Sequence, residues 1–144
     1  MRHELTHAVM EEAMSWRVKW LPPWLLEGIA VWVAEQVDDK MAVYLEWMGS
    51  EGQDPMLLIN GLESQPHNPE DYVEDGLFFK YIEDAFGIAT VQRVIYRIIW
   101  REPYRHVFED ELHMNWEVLQ QQARAHALEA INLLISKQNS GDTD

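Results

Sequence analysis

The sequence predicts an all-α fold in one domain, and three observations carry that prediction. Apolar residues occur in stretches too long for strands, or at helical spacing. Pro, Gly and Asn stand where such stretches start and stop. No segment shows a persuasive strand-like alternation of apolar and polar residues. With 144 residues, 47% of them hydrophobic and seven of them Trp, the chain is long and apolar enough to bury a core. The helical domain is expected over residues 1–137, with a flexible polar tail over 138–144.

Residues 2 to about 19 read as the first helix, broken by Pro22-Pro23. "WLLEGIAVWVAE" follows, too long for a buried strand and therefore a buried helix opened by Pro23. "KMAVYLEWM" forms a further short helix, and "GSEGQDP" and "SQPHNP" are loops by composition. Asn68-Pro69 starts a helix that runs through "EDYVEDGLFFKYIEDAF" and stops at Gly87. In "ATVQRVIYRIIWR", Val91, Val94, Ile95, Ile98 and Ile99 make one apolar stripe. "YRHVFEDEL" is a short helix after Pro103, its acidic run read as a solvated face. Asn115 caps a last helix from Trp116 to about Lys137, with Trp116, Leu119, Ala123, Ala130 and Leu134 at helical spacing.

Charge and composition narrow the function. Twenty-five acidic residues against eleven basic give a formal charge of -14, which argues against nucleic acid and anionic membrane as partners. The acidity serves solubility, or it draws cations and basic peptides. Cys is absent, so any metal ligands must be His and carboxylates. No apolar run is long enough to span a membrane or carries the flank of a signal peptide.

The chain opens "MRHELTHAVMEE", which contains the pattern His-Glu-x-x-His. Residues four apart share one helix face, so His3 and His7 can present imidazoles to one ion. Glu4, rotated by about 100° from His3, is placed to hold a water bound to that ion and accept its proton. Glu27 lies 20 positions after His7 in an apolar helix, where a carboxylate needs a compensating partner such as a divalent cation. Small Gly28 and Ala30 beside it are expected to let this helix approach the first. His67 is read as a solvated loop residue, and His106, His113 and His126 as facing solvent or partners.

"HELTH" followed by "LPPWLLEGIAVWVAE" resembles the gluzincin metallopeptidases of the peptidase MA clan, closest to the branch with a Pro-x-Trp-Leu-x-Glu-Gly-x-Ala helix. The resemblance is strong over the first 35 residues and continues loosely to about residue 100 through "YVEDGLFFKYIEDAFG". It implies a zincin-like fold, with the His-Glu-x-x-His helix packed on the Glu-bearing helix. It also implies one Zn²⁺ per chain held by His3, His7 and Glu27, Glu4 as general base, and a peptide or protein substrate. Tyr72, 15 positions before Gly87, matches the tyrosine that supports the oxyanion in aminopeptidases of the clan.

Gluzincins carry a longer helix and a β-sheet before the motif, whereas two residues precede His3 here. A fragment of a longer product or a wrongly chosen start is therefore expected, with a naturally reduced protein as the third possibility and a cytoplasmic location if the chain is complete. Two functions stay open from sequence. One is a zinc-dependent peptidase. The other is a non-catalytic helical domain, metal-binding or partner-binding, or an inactive fragment of a peptidase, that keeps the scaffold.

Overall fold

A computed structural model describes residues 1–141. Its helices are α1 (Arg2–Met14), α2 (Pro23–Val33), α3 (Val37–Ser50), α4 (Tyr72–Phe86), α5 (Ile88–Ile99), α6 (Tyr104–Leu112) and α7 (Trp116–Gly141). Short 3-10 turns cover Ser15–Trp20, Pro55–Leu58 and Pro69–Asp71. Among the described residues there is no strand, and the protein is all-α as its punctuation predicts.

Helix α4 is the centre of the fold. Val73, Leu77, Phe78, Phe79, Tyr81 and Ile82 are all buried, so this helix is apolar on most of its circumference rather than on one stripe. Its most extensive neighbour is α2, and the two approach through a pair of glycines. A Cβ on Gly28 would lie 2.8 Å from the Asp75 carbonyl oxygen and 2.9 Å from the Phe79 ring. A Cβ on Gly76 would lie 2.7 Å from Val31. The small residue beside Glu27 thus serves the contact with α4, not the expected approach to α1. On one side of this crossing, Trp24, Phe78, Phe108 and Trp116 form an aromatic nest with ring centroids 5.2–6.4 Å apart. On the other, Val31, Met41, Leu58, Val73 and Ile131 close a second apolar cluster.

Element boundaries differ from expectation in ways that have local causes. The first α-helix ends at Met14, because Ser15 takes φ 56 and its N–H bonds the Glu11 carbonyl. The chain then tightens into the 3-10 turn up to Trp20. α3 begins three residues before Lys40, where Asp38 and Asp39 sit in the first turn and favour the positive helix end. In α7 the buried register is Trp116, Leu119, Ala123, Ala127 and Ile131, while Ala130 and Leu134 pack from its flank. α7 continues through residues 138–141 of the expected tail, and residues 142–144 lie outside the described ones. The acidic run of α6 is not simply a solvated face. Glu109 accepts a hydrogen bond from the Trp116 amide at 3.1 Å, and Asp110 and Glu111 accept from Arg97 at 2.5 and 3.2 Å.

Candidate metal centre

The break at Pro22-Pro23 turns the chain back on itself, so that α2 lies against α1. One helical turn separates His3 from His7, and both imidazoles point across to Glu27 near the start of α2. His3 Nε2 lies 3.0 Å from Glu27 Oε2, His7 Nε2 lies 3.3 Å from the same oxygen, and the two Nε2 atoms are 3.2 Å apart. The side chains of His3, His7 and Glu27 are only 13%, 29% and 19% exposed.

These separations can be compared with what a metal requires. Ligands ~2.0–2.1 Å from a tetrahedral zinc stand ~3.3 Å from one another. The three atoms already lie within a few tenths of an ångström of that spacing. Two lone-pair nitrogens and a carboxylate oxygen converge unfavourably unless a proton or a cation lies among them. Two nitrogens and one oxygen are also a suitable donor set for zinc, which needs no thiolate. The residues fit the ion. His3 Nδ1, buried, has no hydrogen-bond partner among the described residues, so no acceptor on the protein fixes this ring from behind.

Tyr72, the first residue of α4, joins the same group. Its ring stacks on His3 with centroids 6.4 Å apart and planes 20° from parallel. Burial, followed by the charge of the neighbouring Glu27 carboxylate, raises the phenol above its ordinary value. Tyr72 therefore stays a neutral donor at neutral pH. Glu4 is placed differently. Its carboxylate is largely exposed and lies 2.8 Å from the Met1 ammonium. A hydrogen bond from that ammonium, above all, holds the carboxyl down at about 2. Four of the five residues singled out from sequence thus converge, and the Glu4 side chain is engaged at the chain terminus instead.

His67 is not a solvated loop residue. Its side chain is 7% exposed and its Nε2 lies 2.7 Å from Asp75 Oδ2, with Asp71 3.9 Å from Nδ1. Its ring also stacks on Tyr72, 5.8 Å between centroids, so Tyr72 contacts both His3 and His67. Sequence reasoning missed this pair although the signal was present. Asp75 is a carboxylate in the apolar setting of "DGLFF", the same kind of position that drew attention to Glu27. His126 also has partners, with the Tyr81 ring tilted against it at 5.3 Å between centroids and Asp84 3.5 Å away, while His106 and His113 are exposed as expected.

Burial, then the charges of Glu74, Asp71 and Glu27, pushes the Asp75 carboxyl up to about 10. A carboxyl raised in the folded state stabilises the fold fully only below its unfolded value of 3.8, and that contribution is lost as pH rises towards 10. Denaturant midpoints of the wild type should therefore fall between pH 5 and pH 8 more steeply than those of Asp75→Asn. Equal slopes for the two proteins would show that Asp75 is ionised throughout.

The fold and the cluster together define the chain as an all-α protein with three donors able to hold one metal ion between its first two helices. The chain matches no family model, no curated protein and no solved structure.

Proposed function

We propose that this protein is a zinc-dependent metallopeptidase with a zincin-like, gluzincin type of helical domain. The observation that carries the reading is the convergence of His3, His7 and Glu27 at the separations a tetrahedral ion needs. His3, His7 and Glu27 would hold one Zn²⁺. When bound, zinc would acidify a water and polarise the carbonyl to be attacked. Glu4, next to His3 on α1, takes the proton of the attacking water once its side chain leaves the Met1 ammonium. Tyr72, a neutral phenol beside Glu27, can donate to an oxygen that gains negative charge. Peptides and proteins are the substrate class.

One observation favours the second reading, a helical metal-binding domain without catalysis. Glu4 is engaged with the ammonium rather than directed at the cluster. Incubation with a quenched-fluorescent peptide mixture separates the two. The peptidase reading expects cleavage that a chelator stops and stoichiometric zinc restores. Stoichiometric zinc binding with no cleavage of any peptide would leave the non-catalytic domain.

A further inference from the structure

Eleven Lys and Arg side chains serve this acidic chain, and Arg2, Lys80, Arg93, Arg97 and Arg105 each have a carboxylate within 4.0 Å. Among the described residues Arg17 and Arg101 have none, nor do Lys19, Lys40, Arg124 and Lys137, but Arg17 and Arg101 line one cleft. This cleft, about 390 Å³, lies between the 3-10 turn Ser15–Trp20 and the connection from α5 to α6. Its walls are apolar: Met14, Trp16, Trp20, Leu21, Ile98 and Pro103. Its one acid, Glu102, is already engaged by Arg97, whose Nε and Nη2 donate to it at 2.9 and 2.5 Å. The two guanidinium groups of the cleft, Arg17 and Arg101, therefore have no carboxylate of their own.

Arg17 is held rather than free. Arg17 Nε donates to the Met14 carbonyl at 3.0 Å, which orients the fork, while Nη1 is shut off from solvent with no acceptor among the described residues. A buried donor of this kind calls for an acceptor. Arg101 sits at φ 83, a left-handed conformation that a side chain disfavours, where α5 ends and the Arg101 and Glu102 amides bond the Ile98 and Arg97 carbonyls. Beside them Trp16 and Trp20 are 65% and 78% exposed and meet edge to face at 6.5 Å. Two indoles in water next to two unpaired guanidiniums make an amphipathic surface with an anion's complement at one part of it.

We infer that this cleft binds a free, single-chain amphiphile with an anionic head, the carboxylate or phosphate on Arg17 and Arg101 and the apolar chain along Trp16, Trp20 and Leu21. The volume is at the small end of ligand sites, which suits one chain. The charge of -14 disfavours both a second copy and an anionic bilayer as the occupant, whereas a monomeric anion meets only the local cations. This inference does not rest on the metal site.

The full-length chain, free of zinc, is titrated by calorimetry with decanoate, decyl phosphate, decanol and decyltrimethylammonium, all below micelle formation. Decanoate or decyl phosphate should bind with one site per chain and at least tenfold more tightly than decanol, and the ammonium should not bind. The double variant Arg17→Gln with Arg101→Gln should reduce the anion to the level of the alcohol. Arg101→Gly, which suits φ 83, should weaken anion binding on its own without disturbing the fold, so the test survives if the double variant unfolds. Equal affinity for decanol and decanoate, or an anion affinity unchanged in Arg101→Gly and in the double variant, would overturn the inference. Binding to phosphatidylglycerol vesicles without binding of the monomers, or a dimer by sedimentation that buries Trp16 and Trp20, would do the same.

Discussion

Glu27→Ala should lower the affinity for zinc by more than about a hundredfold, beyond the 10–100-fold recorded for losing only a partner of a ligand. Wild type should take up one zinc per chain, and His7→Ala should behave like Glu27→Ala. The reason is geometric: Glu27 Oε2 is within 3.3 Å of both imidazole nitrogens, and nothing else in the cluster offers an oxygen at that point. A stability measurement reports the same event. Zinc at a hundred times its dissociation constant stabilises a binding-competent fold by about 2.7 kcal/mol, so the wild-type melting temperature should rise with zinc while that of Glu27→Ala stays level. Equal zinc content and equal thermal shifts in wild type, His7→Ala and Glu27→Ala would refute the cluster as a metal site. Since α2 is anchored by Trp24, Leu25 and Ile29, all buried, loss of the carboxylate is not expected to unfold the helix that carries it.

The residues of the candidate centre were legible because each follows from a rule that acts over one or two helices. His3 and His7 share a face through helical periodicity alone, and Glu27 stood out as a charge in "WLLEGIAVWV". Helix existence was equally legible, since Pro23, Gly87 and Asn115 stand within a residue of where α2, α4 and α7 begin or end. What could not be read depends on contacts distant in sequence. Gly28 faces α4 rather than α1 because of the backbone at Asp75, 47 positions away. His67 is buried because Asp75 and Tyr72 receive it; the loop around it carries no sign of that, and only the carboxylate at Asp75 hinted at a partner. The early end of α1 at Ser15 was hidden for the opposite reason: a serine at positive φ is local but has no side-chain signature as clear as glycine's.

Glu4→Gln should leave zinc binding within about threefold of wild type and lower peptide hydrolysis by 10²–10⁴, the range a positioned general base contributes. The amide cannot accept the proton of the attacking water, and Glu4 is outside the cluster, so binding and chemistry separate. The Met1 ammonium adds a second, independent expectation. It lies 2.8 Å from Glu4 and holds the carboxyl at about 2, which keeps Glu4 ionised but makes it a poor base at neutral pH. Acetylating the α-amine removes that partner and frees the side chain to turn towards the water. Turnover by the wild type should then rise, while Glu4→Gln, with no carboxylate to release, should not respond. A Glu4→Gln protein that hydrolyses peptide at the wild-type rate would remove Glu4 from the reaction. An acetylated wild type that gains nothing would instead show that the ammonium contact already breaks when substrate arrives.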